Sequence, residues 1–112
     1  MSDVTVAAIH SALNGLALRQ RVIADNIANI NTPGYHAKKV GFESALASAV
    51  SGGTGAAGAD VQTSLEPTRL DGNNVNLDQE TLSNVDTGLR YQLMLRAMDN
   101  EFGLVRDSLR TA

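Results

Sequence analysis

The sequence contains no cysteine and no tryptophan, and it has only two tyrosines and two phenylalanines. Without cysteine there can be no disulfide bond, no thiolate metal ligand and no cysteine nucleophile. Aromatic side chains provide the largest single burials in a compact core. Because they are few here, the 43% of residues that are hydrophobic are mainly Ala, Leu, Val and Ile. This composition is typical of packing between helices, and 112 residues is the size of one domain.

The sequence also lacks an excess of positive charge and any long apolar run. Nine Lys and Arg against twelve Asp and Glu give a net charge of -3, which argues against nucleic-acid binding because phosphate binding requires a basic surface. No stretch reaches the ~18 apolar residues of a membrane-spanning helix. We therefore expect no nucleic-acid partner and no membrane insertion. No basic and apolar leader is visible, so we expect any export to use a route without a cleavable signal.

Residues that could carry out catalysis or bind a metal are scarce. Only two histidines are present, His10 and His36, and neither has a ligand-type residue four positions later. Residues 71–76 faintly resemble a calcium loop, but Asn76 stands where that loop requires glycine. There is neither a nucleophile elbow nor a phosphate-binding loop. The sequence therefore predicts no catalytic residue, no metal and no cofactor, and it favours a structural or binding role over an enzyme.

The first clear element is an amphipathic helix over residues 3–30. One row of positions, apolar with a single polar exception, recurs alternately every three and four residues. The row comprises Val6, Ile9, Leu13, Leu16, Gln20, Ile23, Ile27 and Ile30. Thr32 precedes a proline and is therefore pushed out of helical dihedral angles, and Pro33 and Gly34 fit the central positions of a type II turn. The spacing predicts a helix with one continuous seam that ends at this turn.

A second helix is predicted over residues 78–110, with Asp78 as its N-cap. At 100° per residue its apolar side chains fall into two rows on opposite sides. The first row is Leu82, Val85, Leu89, Leu93, Ala97 and Leu104, and the second is Tyr91, Met94, Leu95, Met98, Phe102, Val105 and Leu109. We expect the first row to meet the N-terminal helix and the second to meet neighbouring subunits, although the pattern also allows the reverse assignment.

Between these helices, residues 35–76 are only weakly patterned. A short helix is predicted to begin near Phe42, and an extended segment near Val61. Residues 51–59 are rich in Gly and Ala and are expected to form a flexible linker. The expected fold is all-α: the terminal helices (residues 1–34 and 77–112) pair as an antiparallel, coiled-coil-like hairpin around a flexible, weakly structured middle.

The string IADNIANINTPGY, residues 23–35, resembles the N-terminal signature of the flagellar axial proteins, which form the rod and hook. The residues that match it are Asn26, Ile27, Ala28, Asn29, Asn31, Thr32, Pro33, Gly34 and Tyr35. The string DGNNVNLDQE, residues 71–80, followed by Tyr91 and Gln92, is similar to a pattern of the short proximal-rod members. The resemblance covers the first 42 residues and about the last 42, whereas the Gly- and Ala-rich middle matches no pattern.

The resemblance implies a structural subunit of the flagellar basal-body rod. Such subunits polymerise helically through their terminal helices, transmit torque and are exported by the flagellar type III apparatus without a cleaved signal. Their partners are further copies and other rod subunits. Two alternatives remain: a secreted helical hairpin of the ESAT-6 type, whose central Trp-x-Gly turn is missing here, and an export adaptor that binds partners without forming a rod.

Overall fold

A computed structural model describes residues 3–111 of the chain. In chain order the elements are α1 (Asp3–Ala28), β1 (Lys38–Gly41), α2 (Glu43–Ser51), β2 (Asp60–Thr63) and α3 (Leu77–Thr111). The two long terminal helices pack side by side and run antiparallel, which confirms the predicted hairpin, and the molecule measures 66 × 25 × 14 Å. Among the described helices none is both long and apolar enough to cross a membrane.

The turn that ends α1 has the geometry that its sequence predicts. Tyr35 N–H donates to the carbonyl oxygen of Thr32 at 3.2 Å, so that Pro33 and Gly34 occupy the two central positions. Gly34 has a φ of 76°, which a residue with a side chain rarely adopts. The chain therefore leaves α1 in one defined direction and enters β1.

α1 is covered on two sides. Its predicted seam is partly buried, with Ile9, Leu16 and Ile23 fully enclosed and Val6, Leu13, Ile27 and Ile30 half-buried. Ala12, Leu16 and Val22 form a core cluster with Val40 of β1 and Phe42, and Leu46 of α2 and Tyr91 and Met94 of α3 pack against it. The middle segment and α3 therefore cover α1 together.

The two rows of α3 are placed opposite to our expectation. Tyr91 and Met94 of the second row pack against the core cluster, and buried Thr87 and half-buried Met98 lie on the same helix face. The other members of this row are exposed: Leu95, Phe102, Val105 and Leu109. The row of Leu82, Val85, Leu89 and Leu93 is instead exposed by 57–72%. The assignment was wrong because the packed row contains Thr87, a polar residue that a hydrophobic pattern does not select.

The middle of the chain is more ordered than its composition suggests. The helix predicted near Phe42 is present as α2, and β1 pairs antiparallel with β2, with Val40 opposite Val61. An all-α description is therefore only approximately right: the chain is mostly helical but includes a two-stranded sheet. Four-residue strands are too short to produce a recognisable alternation of apolar and polar residues.

The Gly- and Ala-rich segment lies against α1. Ser11 Oγ donates to the carbonyl oxygen of Gly55 at 2.9 Å and accepts from Ala57 N–H at 3.1 Å. Gly55 has a φ of 68°, and a Cβ there would come within 2.5 Å of the carbonyl oxygen of Val4. This glycine thus permits a close backbone contact, which corrects the expectation of a flexible linker.

Phe42 joins the middle segment to α1 through Gly15. A Cβ on Gly15 would lie only 2.5–2.8 Å from three ring carbons of Phe42, and the Arg19 guanidinium covers the same ring at 4.9 Å from its centre. Phe42 is 6% exposed, so the ring has little room to move. Glycine is therefore required at position 15 despite its cost inside a helix.

We predict that Gly15→Ala destabilises the protein by about 1–2 kcal/mol, because overpacking against the ring outweighs the gain in helix propensity. The matched control is Gly88→Ala in α3, where a Cβ would meet only Gln20 Nε2 at 3.7 Å. That change should be neutral or stabilise by up to about 1 kcal/mol. Urea unfolding monitored by circular dichroism measures both, and equal effects would contradict the proposed packing of Phe42.

Candidate functional site

Three buried asparagines connect the two sequence motifs, and we call this group the asparagine clasp. Its members, Asn26, Asn73 and Asn74, are 0%, 0% and 8% exposed. In the described part of the chain no three His, Asp or Glu residues approach closely enough to hold a metal ion. The clasp acts through hydrogen bonds to backbone and side-chain groups.

Asn26 lies near the end of α1 and uses all of its side-chain hydrogen-bonding capacity. Its Nδ2 donates to the carbonyl oxygen of Lys38 at 2.9 Å and to Glu80 Oε1 at 3.1 Å. Its Oδ1 accepts from Lys38 N–H at 3.0 Å and from the Tyr35 hydroxyl at 3.2 Å. The carboxamide thus pairs with the free edge of β1 as another strand would, and it also holds the first turn of α3.

Asn73 binds the end of α1. Its Nδ2 donates to the carbonyl oxygens of Asn29 and Thr32 at 2.8 and 2.9 Å, and its Oδ1 accepts from Val75 N–H at 2.8 Å. Both carbonyl oxygens lie in the turns that follow α1 and already accept from a backbone N–H, so Asn73 adds a second hydrogen bond to each. The same side chain fixes the loop that leads into α3.

Asn74 connects the entrance of β1 with the segment after β2. Its Oδ1 accepts from Ala37 N–H at 2.6 Å, and its Nδ2 donates to the carbonyl oxygens of Ser64 and Glu66 at 3.2 and 3.1 Å. Buried amides of this kind are costly unless every donor and acceptor is paired. Here all of them are paired, so the clasp holds the surrounding loops in one arrangement.

Arg69 and two glycines complete the contact between the motifs. The Arg69 guanidinium donates to the carbonyl oxygens of Val75 at 2.6 Å and Ile30 at 2.7 Å, which places a cation at the negative end of α1. Gly34 N–H donates to the carbonyl oxygen of Asp71 at 2.8 Å. A Cβ on Gly72 would lie 3.2 Å from Gly34 Cα, so the two turns touch through their backbones.

Burial raises the pKa of two side chains at the clasp, Glu80 and Tyr35. Burial raises the pKa of Glu80, although the Asn26 hydrogen bond and the Lys39 charge oppose this. Burial also raises the pKa of Tyr35, with further contributions from the negative charges of Asp25 and Glu80. Because the pKa of Glu80 is higher in the folded protein than in the unfolded chain, protonation of Glu80 in acid does not weaken the fold.

A separate ion pair connects α1 with α2. Arg19 Nη1 lies 2.6 Å from Glu43 Oε1, and the same guanidinium donates to the carbonyl oxygen of Val40 at 2.7 Å. The hydrogen bond from Arg19 lowers the pKa of Glu43 to about 2, more than its partial burial raises it. Arg19 therefore binds both β1, through the carbonyl oxygen of Val40, and the start of α2, through Glu43.

Comparison with known proteins identifies the family of this chain. Residues 9–36 match the model of the flagella basal body rod protein family. The chain is 32% identical over 121 aligned positions to the flagellar basal body rod protein FlgB of Escherichia coli K12, with 88% of each chain covered. The chain belongs to the FlgB family. FlgB of Bacillus subtilis (29% identical, 94% and 92% covered) and of Borrelia hermsii (30%, 89% and 91%) are also similar.

The structure brings only part of the predicted axial-protein motif into the clasp. Side chains of Asn26 and Tyr35 and backbone groups of Asn29, Thr32 and Gly34 take part. The remaining motif residues lie outside it: Ala28, Asn31 and Pro33 are exposed, and Ile27 is half-buried.

Sequence reasoning did not assign roles to Arg69, Asn73, Asn74 or Glu80. The last three lie in the second motif, DGNNVNLDQE, which was noticed only as a family pattern. Two adjacent asparagines just before a helix are a usable signal, since asparagine binds free backbone groups at turns and helix ends.

We predict that Asn26→Asp destabilises the fold by on the order of 3 kcal/mol at neutral pH. The new carboxylate cannot donate to the Lys38 carbonyl oxygen, and it faces the carboxylate of Glu80. Asn31→Asp, an exposed change in the same axial-protein motif, is the control and should change stability by less than about 0.5 kcal/mol. Urea unfolding at pH 7 measures both; a small effect at Asn26 would show that the clasp does not hold the fold.

We also predict that acid weakens the fold through Glu43. Because its pKa in the folded protein is lowered from 4.5 to about 2, the ion pair stabilises the fold above about pH 5, and this contribution disappears as the pH falls toward 2. Glu43→Gln should therefore flatten the decrease of the urea midpoint between about pH 5 and 2. Asp86→Asn, which removes the exposed 2.9 Å pair with Arg90, should leave the decrease nearly unchanged.

Proposed function

We propose that this chain assembles into the flagellar rod through the outward-facing row of α3, and that the paired terminal helices are the part that polymerises. As a member of the FlgB family, the chain is a structural subunit of the basal-body rod. The family points to a structural role rather than a catalytic one. Transmission of torque, a proximal position in the rod and export by the flagellar type III apparatus are further parts of the proposal.

The observation that carries the proposal is an apolar stripe on the solvent side of α3. We call Leu82, Val85, Leu89 and Leu93 the lateral stripe. The four residues are three or four positions apart and so form one line along the helix, and each exposes more than half of its surface. A soluble monomer rarely exposes a continuous apolar surface without a partner.

α1 supports this assignment because it has little apolar surface left to offer. Leu16 and Ile23 are 2% and 4% exposed, and Phe42 and Gly55 lie against the helix from the other side. The contacts between subunits are therefore expected on α3. The motif turn from Asn29 to Tyr35 would then set where the chain leaves the polymerising hairpin.

We predict that a charge on each side of α3 has a different effect. Leu89→Asp should leave thermal unfolding of the purified protein nearly unchanged but prevent its incorporation into basal bodies, because it buries a charge between subunits. Met98→Asp, on the half-buried side facing α1, should destabilise the monomer itself. Asn84→Asp, on exposed surface away from the lateral stripe, is the control for an added charge and should change neither.

Circular dichroism melts and immunoblots of purified basal bodies measure these effects. Normal incorporation of stable Leu89→Asp protein would contradict the lateral contact. If the wild-type protein were absent from basal bodies, the export-adaptor alternative would replace the rod subunit.

A further inference from the structure

Gly88 lies inside α3 without a packing reason from its own chain. A glycine inside a helix is less stable than alanine by about 1 kcal/mol. At Gly15 this loss is explained, because the Phe42 ring fills the space of a side chain. At Gly88 a Cβ would meet only Gln20 Nε2, at an ordinary contact distance of 3.7 Å. The monomer therefore has room for a side chain at position 88, and the glycine leaves this part of the α3 surface open.

Gly88 is the first position of an apolar side of α3. Leu95 and Phe102 follow it at steps of seven residues, so the three residues lie on one side of the helix, which we call the α3 flank. Leu95 is 41% exposed and Phe102 is 55% exposed. Because Gln20 lies beside Gly88 and the two helices are antiparallel, half-buried Leu13 continues this surface on α1. The α3 flank is therefore an open apolar surface with a gap at its first position.

The α3 flank and the lateral stripe point in different directions. At 100° per residue, Leu89 of the lateral stripe lies about 100° around the helix from Gly88, and Leu93 lies about 160° from Leu95. One α3 helix can therefore contact one neighbour through its lateral stripe and another neighbour through its flank at the same time.

The lateral stripe and the α3 flank match in length and shape. At 1.5 Å per residue, the stripe from Leu82 to Leu93 is about 17 Å long, and the flank from Gly88 to Phe102 is about 21 Å long. Both follow the three-, four- or seven-residue spacing of helices that pack side by side. The stripe is a ridge of large side chains, and such a ridge approaches closest where the facing helix carries a glycine. The gap at Gly88 therefore fits a leucine of the stripe.

Other surfaces of a second copy fit the lateral stripe less well. The outer side of α1 is mostly polar, and its exposed residues include His10, Asn14, Arg21 and Asp25. The groove where the turn after α1 meets the start of α3 has two acidic and two basic residues in its lining. A stripe packed on another stripe would join two copies about a twofold axis, which closes the assembly at a dimer. A rod subunit requires a contact that can repeat, and the α3 flank provides one.

We propose that the lateral stripe of one copy packs on the α3 flank of a second copy. Leu82 then lies over Gly88. One heptad later, Leu89 lies over Leu95. This alignment places the stripe on the apolar part of the flank, and it leaves the polar Asn84, which precedes Gly88, outside the contact. The two copies are offset by about 10 Å, the length of seven helical residues.

This inference rests on the proposed function and names the surface that receives the lateral stripe. The contact joins two different surfaces, so each added copy presents a new stripe or a new flank and the assembly can grow. It also gives Gly88 a role that the monomer lacks, because the glycine lets the ridge of a neighbour approach α3. The gain in monomer stability expected for Gly88→Ala is then a gain that opposes assembly.

Gly88→Leu tests this role. Because the space over Gly88 is open in the monomer, the purified variant should melt near the temperature of the wild-type protein. Its incorporation into basal bodies should decrease at least several-fold, since the added side chain occupies the place of the stripe. Thr81→Leu is the matched control: Thr81 is exposed and lies one heptad before Gly88 on the same side, outside the proposed contact, so incorporation should be normal.

Normal incorporation of stable Gly88→Leu protein would overturn the contact between stripe and flank. If Leu89→Asp still blocked incorporation in that case, the lateral stripe would stand and its partner surface would lie elsewhere. Normal incorporation of both variants would remove the proposed function as well.

Engineered cysteines test the same contact without filling the gap, since the chain has no cysteine of its own. Two copies with different tags, one with Leu89→Cys and one with Leu95→Cys, are produced together in cells that lack the untagged protein. Both positions are exposed, so the changes should leave the fold intact. After oxidation of purified basal bodies, the mixed disulfide should exceed the statistical mixture several-fold, because a disulfide requires Cα atoms within about 7 Å.

The control pairs Leu89→Cys with Thr81→Cys and should show no such excess. A mixed disulfide between Leu89→Cys and Leu95→Cys at or below the statistical level would overturn the proposal. A disulfide formed mainly between two Leu89→Cys copies would also overturn it, because it would show that two stripes meet about a twofold axis.

Discussion

The arrangement of the two long helices depends on the four hydrogen bonds of the Asn26 carboxamide. Asn26 is 0% exposed and contacts β1, Tyr35 and the first turn of α3. Apolar seams with heptad spacing can slide by one repeat at little cost, whereas a buried amide has one position in which all its partners are satisfied. The hydrophobic contacts stabilise the hairpin, and Asn26 determines its alignment.

That alignment decides which surfaces remain for other subunits. With Glu80 held beside Asn26, the position of α3 along α1 is fixed. The same contact turns the lateral stripe away from α1, where more than half of each side chain is exposed. In a FlgB-family subunit the clasp would thus act on assembly without touching a neighbour, because it sets the direction and reach of α3.

Local patterns predicted the helices and the turn, and long-range contacts explain what they missed. The three- and four-residue spacing of α1 and the Pro33-Gly34 pair are properties of neighbouring residues. The sheet depends on Asn26 binding the edge of β1 and on Val40 meeting Val61 across twenty-one positions, which no local pattern contains. Residues 51–59 were expected to be flexible because they are rich in glycine. Gly55 nevertheless lies close to the backbone of α1, which is possible because it has no side chain.

The ambiguity between the two rows of α3 shows why a polar group is needed in this hairpin. Both rows are apolar, so rotating α3 by about half a turn would exchange them with a modest change in hydrophobic burial. Glu80 precedes Thr87 by seven residues and therefore lies on the same side of α3 as the packed row. Rotation would turn Glu80 away from Asn26 and leave a buried amide without its partner. One hydrogen bond between the motifs thus selects the row that packs on α1 and the row that stays exposed.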